Sequence, residues 1–447
     1  MKNFVRFLRE DYYKHKMVFN LIILSSLILC SMITQYMSIF VLIAVLIMLL
    51  TSSKTDAFAY LGFLSSFSNI VRLFDVEFIF ISALSFYALY LLIYMIVKKE
   101  FKYNWSLISL VIVLIIYMLL PIGEYNYLKI GFVGIIILSI ALPSMLWQKR
   151  DEINFKKVLY VTFLGLVISV VFSSFVEYIP NANQFIERFY ANGEYRFQAL
   201  YNNPNFLSGN CVFFISIFIF FIYKSPRVVL LDYCCLGFLY IIGFSTLSKG
   251  FAVSAILTLL VLAVILFLKM RKSQKLKKYL WYYIIAMILL CAVGVSVLVS
   301  RIPLSEIFNL SVLTTGRSEI WKVAFTELIS SPLNFLFGLG LGTQIYHDGI
   351  YYAAHSSFID VVYKLGFLGS LLILSIIVIS FITIFKKINL KSSLINIFPV
   401  FMACLHSTFS TTINVNAVFL ICLSFAMIGY NPNKKELENV NKNNCKL

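Results

Sequence analysis

The chain has 447 residues, of which 61% are hydrophobic and 13% charged, with a mean hydropathy of +0.90 and a formal net charge of +17. A soluble surface needs about 25% charged residues, so a soluble globule is excluded and a polytopic membrane protein is expected. The positive charge does not mark a nucleic-acid surface, because it falls in short clusters at alternating connections between apolar runs, which is the positive-inside pattern.

Apolar runs that match the thickness of the hydrocarbon core recur along the chain, and each is expected to be a helix because backbone groups facing lipid must be satisfied within their own segment. In chain order the predicted spans are 17–34, 36–51, 57–71, 77–97, 105–120, 128–146, 157–176, 206–223, 228–245, 250–268, 279–299, 357–385, 393–409 and 413–429. The second and third are short or weak, so the expectation is one all-α integral membrane domain over residues 1–447 with about 12–14 spans. The first run follows polar-rich residues and merges into a helical hairpin, so it is expected to be retained as a span and not cleaved as a signal peptide. Most of the 37 lysines and arginines sit at the N-terminus, at Lys54, Lys98/Lys99/Lys102, Lys149–Lys157, Lys224/Arg227, Lys269–Lys278, Lys386–Lys391 and in the C-terminal tail. An even number of spans returns both termini to the cytoplasmic face, in agreement with those clusters. The eight cysteines fall mostly within apolar runs without metal-type spacing and read as small buried hydrophobes.

This assignment leaves two larger loops on the outer face, residues 177–205 and 300–356. In the second, Ile320, Trp321, Val323, Ala324, Phe325, Leu328 and Ile329 recur at helical spacing, predicting a short helix with one apolar face at the membrane interface or against the bundle. The proline of SSPLN ends that helix. Gly338, Gly340 and Gly342 then provide a flexible turn or a close backbone approach. Neither Lys-Ser nor Lys-Thr follows them, which disfavours a phosphate loop.

Outer-face basic residues are few. Arg196 lies in YRFQALYNNPN, Arg317 in TTGRSEIW and Lys249 in STLSKGF at the outer end of a span. Cations near a span end commonly snorkel to the interface, but both arginines sit inside loops beside turn formers. A guanidinium presents five donors in a rigid fork suited to phosphate oxygens. Asn202, Pro204 and Asn205 shape the turn into the following helix. Of the four histidines, His15 in the N-terminal tail and His406 near the outer end of a span have ordinary structural explanations. His347 and His355 frame DGIYYAA. At a loop-to-helix junction, His355 is placed either to take a proton from a sugar hydroxyl or to bond a loop backbone. His347, Asp348 and His355 have only generic metal-ligand spacing, so no metal and no cofactor are expected.

In order, an arginine before N-P-N and a span, then S-K-G opening a span, then G-R-x-x-x-W, then A-H-S-x-F-x-D before L-G-F-L-G resembles the O-antigen ligase and polymerase superfamily over roughly residues 190–370. The resemblance implies a GT-C-like, metal-independent glycosyltransferase of the bacterial cytoplasmic (inner) membrane that uses an undecaprenyl-diphosphate-linked oligosaccharide donor. It implies that Arg196 and Arg317 engage the donor diphosphate and that His355 stands near the acceptor as the base. Ser248-Lys249-Gly250 stands where the family more commonly has S-R-G, so Lys249 keeps the charge and loses the fork. Family members differ in acceptor. Another lipid-linked repeat unit makes a Wzy-type polymerase of O-antigen or capsular polysaccharide, and lipid A-core makes a ligase. A polymerase is the expectation, because the chain stops after the short tail NPNKKELENVNKNNCKL without an appended soluble domain. The expected partners are the lipid-linked donor and acceptor, the bilayer and a chain-length regulator, with no nucleic acid. The reading from a different class is a flippase for a lipid-linked glycan. That needs charges through the bundle interior, whereas Asp232, Asp360 and Lys364 lie near span ends.

Overall fold

The computed structural model describes residues 13–34, 36–71, 78–100, 108–109, 112–113, 115–116, 119, 138, 141–175, 190–191, 194–201, 203–225, 229–272, 282, 285, 292, 296, 317–341, 343–352, 354, 356–387, 393–409 and 415–430. Within them the chain is an all-α polytopic membrane protein, with six helices long and apolar enough to span: His15–Ile33, Ile79–Val97, Phe155–Phe175, Pro204–Lys224, Lys249–Lys269 and Ser357–Ser375. All six fall on predicted spans. The predicted spans at 105–120, 128–146 and 279–299 lie largely outside the described residues.

The chain divides into two compact units, the first built from residues 1–102, 141–204 and 415–426. It contains α1 (Tyr13–Ile33), α2 (Met37–Thr51), α3 (Lys54–Ser65), α4 (Phe78–Val97), α5 (Phe155–Phe175), a two-residue hairpin of β1 (Tyr190–Ala191) and β2 (Glu194–Tyr195), and α13 (Val415–Ala426). His15 lies inside α1, at a non-helical kink, and not in a tail. Where a span was predicted at 57–71, the structure has the 12-residue α3 followed by turns. Residues Ala57 to Ser65 are all buried. A helix that is apolar all round belongs in a core or in lipid, and hydropathy alone does not separate the two. α3 packs along α5, and a Cβ on Gly165 would stand 2.7 Å from the Phe63 carbonyl oxygen. The small residue there lets the two backbones touch. Phe58 of α3 stacks on Tyr87 of α4 at 6.0 Å and meets Phe419 of α13 at 4.7 Å.

The second unit comprises residues 103–140, 205–414 and 427–447. Its described helices are α6 (Pro204–Lys224), α7 (Leu230–Ser245), α8 (Lys249–Lys272), α9 (Arg317–Ile329), α10 (Pro332–Phe337), α11 (Ser357–Lys387) and α12 (Ser393–Phe409). Its hairpin pairs β3 (Ile345–His347) with β4 (Ile350–Tyr352) in antiparallel register, Ile345 opposite Tyr352. α6 carries the core, since 89% of its most apolar stretch is buried, including Phe213, Phe214, Phe218 and Phe220. Its C-terminal carbonyls are answered by Lys269 of α8, whose ammonium donates to Ile222 and Ser225. Such capping removes the orphan acceptors of a helix end. Tyr240 of α7 and Thr258 of α8 share a hydrogen bond of 2.9 Å.

Candidate functional site: the Arg317 helix and its supports

α9 begins at Arg317, so the guanidinium stands at a helix N-terminus, where the macrodipole favours an anion. Arg317 is half-buried, and desolvation lowers its pKa from the usual guanidinium value. It remains a cation, because that value starts far above neutrality.

Three attachments hold α9 in place. The first is packing: Ile320, Ala324, Ile345, Ala354 and Tyr363 form a buried cluster that joins the helix to the β3–β4 hairpin and the start of α11. Ile320, Ala324 and Leu328 supply the buried stripe, while Phe325 and Ile329 are 48% and 67% exposed. The single apolar face expected from the sequence is therefore split in two. The outward part continues into exposed Leu333 and into Phe335, whose ring stacks on Phe367 of α11 at 5.6 Å. The second attachment is polar. The Trp321 indole donates to the Ala354 carbonyl at 2.6 Å, and the Tyr363 hydroxyl donates to the Glu327 carboxylate at 2.5 Å.

The third attachment is a backbone clamp. α9 gives way to α10 through Ser331, whose hydroxyl accepts from the Asn334 amide, with Pro332 in the first turn. Proline thus ends one helix and opens the next. α11 breaks at Gly366, where φ is +66°, so the carbonyls of Tyr363 and Lys364 are free to accept from the amides of Leu339 and Gly340 at 3.0 and 3.1 Å. Gly338, at φ +78°, faces Gly366 so closely that a Cβ on either would sit within 2.6 Å of backbone atoms of the other segment. Of the two readings of the glycine run, close backbone approach is the one found at Gly338. Gly342 lies outside the described residues. One turn before the break, Lys364 pairs with Asp360 at 2.9 Å.

The S-K-G motif is a helix start. The Ser248 hydroxyl accepts from the Phe251 amide at 3.4 Å, and Lys249 is the first residue of α8. Five residues on, roughly 7.5 Å along the axis, Ser254 meets a residue that the sequence had left with an ordinary explanation. His406 of α12 is fully buried, with its Nδ1 3.4 Å from the Ser254 hydroxyl and the ring of Phe213 edge-on at 6.4 Å. Its Nε2 has no hydrogen-bond partner. Leaving a buried polar atom unanswered costs about 1–3 kcal/mol.

Arg317 and Lys249 therefore share one compact unit with His406. Arg196 belongs to the other unit, half-buried in the extended stretch after β2. There a turn bonds the Tyr201 amide to the Gln198 carbonyl, and the Asn69 amide reaches the Leu200 carbonyl at 3.5 Å. His355 lies outside the described residues, between the buried Ala354 and Ser356. His347 stands 3.3 Å from Asp348 at the tip of the β3–β4 hairpin. Asp348 and Gly349 both have positive φ, which suits the tight turn of a two-residue hairpin.

Residues 234–374 match the family model described as O-antigen ligase. The matched stretch holds Lys249, Arg317, the clamp and the first half of α11, and the match supports the O-antigen ligase/polymerase superfamily for this chain. Arg196 and His406 fall outside it. No curated protein matches the chain. The family comprises membrane enzymes of the glycosyltransferase type, so ligase/polymerase-type chemistry on lipid-linked glycans is supported. His406 is the residue that the sequence reading passed over. The available signal was a lone ionisable side chain within an apolar span, which by default marks a functional position.

Proposed function

We propose that the protein is a glycan polymerase. It lengthens a surface polysaccharide by moving an undecaprenyl-diphosphate-linked oligosaccharide onto the repeat unit of a second lipid-linked molecule, on the outer face of the cytoplasmic membrane. The observation that carries this reading is Arg317, a half-buried guanidinium at a helix N-terminus braced onto a span by side chains and by backbone. In this reading an acceptor hydroxyl attacks the anomeric carbon of the donor sugar, and the bond to the diphosphate oxygen breaks. The leaving lipid diphosphate gains negative charge as it departs. A cation already aimed at it stabilises the transition state more than the ground state. Arg196 and Lys249 are proposed as further diphosphate ligands and His355 as the base, all three on the strength of the motif resemblance. Loss of the hydroxyl proton can come late, so Arg317→Ala is expected to cost more than His355→Ala. Abolished activity in His355→Ala beside active arginine variants would overturn that assignment.

The choice of polymerase over ligase rests on the sequence reading and has a direct test. Deleting the gene and resolving the surface glycan by size is expected to leave a single repeat unit. Long lipid-linked chains that fail to transfer would mean ligase, and an unchanged ladder would sink both.

A further inference from the structure

We infer that the outward apolar stripe of α9 and α10 is a membrane seat: Phe325, Ile329, Leu333 and Phe335 rest among the acyl chains of the leaflet at the end of α11 away from Lys386 and Lys387. The inference stands apart from the proposed function and holds whether or not Arg317 binds a diphosphate.

α9 presents three parallel rows, because residues four apart lie on one face of a helix. Ile320, Ala324 and Leu328 are buried against the protein. One residue on, Trp321, Phe325 and Ile329 make a second apolar row, of which Trp321 is half-buried and the other two are exposed. The next row, Lys322, Thr326 and Ser330, is polar and exposed. A helix packed on protein and otherwise in water needs only the first and third of these. An exposed apolar row between them is what a helix lying in a membrane interface carries. Leu333 and Phe335 of α10 extend the exposed apolar surface.

The occupant of this surface follows from α11, with which it is continuous. Phe367, Leu371, Leu374, Val378 and Ile382 are all exposed and recur at helical spacing, and such an apolar row on a spanning helix faces lipid. The ring of Phe335 stacks on Phe367, the first member of that row, at 5.6 Å. The level of this contact follows from the length of the span. Crossing the hydrocarbon takes about 20 helical residues, and the run from Leu365 to Phe385, between Lys364 and Lys386, carries no charge. With Lys386 and Lys387 at one boundary, the hydrocarbon ends at the other near the break at Gly366. Lys364 and Asp360, paired with each other, lie on the headgroup side of the break. The backbone clamp of Gly338 against Gly366 fixes α10 at this level. The apolar stripe thus meets the membrane where acyl chains give way to headgroups.

The test uses the full-length protein in phosphatidylcholine nanodiscs, with and without bromine on the acyl chains, and tryptophan introduced at three exposed positions. Because residues 326, 329 and 333 are exposed, the new ring displaces no packed side chain. The four native tryptophans are kept in every variant, and the wild type supplies their background. Ile329→Trp and Leu333→Trp are expected to add blue emission that brominated chains quench, and bromine near the headgroup is expected to quench more than bromine near the chain end. Thr326→Trp, on the polar row of the same helix, is expected to add red emission that the bromine leaves unquenched. A folding defect moves both rows together and does not produce this split. Red, unquenched emission at residues 329 and 333 would put the stripe in water. Blue, unquenched emission would put it under protein, either a further segment of this chain or a second copy. Either result would overturn the inference, and so would equal quenching on the two rows.

Discussion

Lys149 in the first unit and Arg317 in the second are both cations drawn out of water, and they are housed in opposite ways. The Lys149 side chain is 8% exposed and saturated: it contacts Glu100, lies 2.8 Å from Glu152 and sits 5.6 Å from the ring of Tyr94. Around it Lys54 pairs with the same Glu152 at 2.5 Å and covers Tyr94 at 3.9 Å, while Lys157 pairs with Asp56 at 2.6 Å. These residues join the short connections that the charge pattern assigns to the cytoplasmic side, and their charges neutralise one another. Arg317 instead sits at a helix N-terminus, which adds positive potential to its own. The first arrangement serves the fold. In the proposed reading the second keeps a positive site in being, at some cost in stability, which is the usual trade of a binding site.

The sharpest way to break this contrast is to loosen what aims Arg317 without touching it. Gly366→Ala is expected to have the largest effect, about 3 kcal/mol or more of stability, because the left-handed backbone and the contact with Gly338 leave no room for a methyl group. Thermal unfolding of the purified protein and glycan transfer should fall together. Arg317→Ala comes next, and it should separate the two readouts. Transfer is expected to drop about a hundredfold or more, the usual size for removing one donor to a developing oxyanion, with the melting temperature unchanged or raised. A fall in stability equal to the fall in transfer would place Arg317 with Lys149, as part of the scaffold.

Lys149→Ala should show the reverse pattern. It removes the Lys149 bonds of Glu100 and Glu152, each 45% exposed, while Glu152 keeps Lys54, so the expected loss lies between the values for exposed and buried pairs, about 1–2 kcal/mol. Transfer per folded molecule should not change. Lys149→Met, which keeps the apolar stem, should recover part of the loss.

How far each region could be read beforehand follows from the range of its interactions. The spans were legible because hydropathy over about 20 residues is a local property, and the six long helices fall where it put them. At 57–71 the apolar run continues past the 12-residue α3 into turns, and no window of hydropathy reports where a helix stops within such a run. Arg317 was legible from its neighbours, Gly316 before it and Trp321 four residues on. The β3–β4 hairpin also carried a local signal, Asp348-Gly349 between alternating apolar residues, but the flanking histidines drew the reading elsewhere. The kink at Gly366 was hidden, since a glycine within an apolar run looks the same whether the helix continues or breaks. His406 was the least legible, because Ser254 lies 152 residues away in the chain.

The smallest expected effect lies in the acid limb of the stability profile, and it tests whether the Lys149 network is as saturated as its geometry indicates. Burial opposes the charge on Glu152, but its bonds to Lys149 and Lys54 outweigh that and hold its pKa below the usual glutamate value. A carboxylate with a depressed folded pKa stabilises above its unfolded pKa, near 4.3, and the stabilisation is lost as pH falls through the folded value. Burial likewise opposes the charge on Lys149, and its bonds to Glu100 and Glu152 outweigh it and raise the pKa. Its stabilisation is complete below the ordinary lysine value, near 10.4, and is lost as pH rises through the folded one. Between about pH 5 and pH 10 both contributions are present in full and stability should be flat with respect to this network. Because Glu152 is 45% exposed, solvent screening limits its share to no more than about 1 kcal/mol. Glu152→Gln should therefore lower the plateau slightly and remove part of the decline below about pH 4. An unchanged acid limb in that variant would mean that the contacts of Glu152 add nothing to stability, leaving Glu100 to hold Lys149.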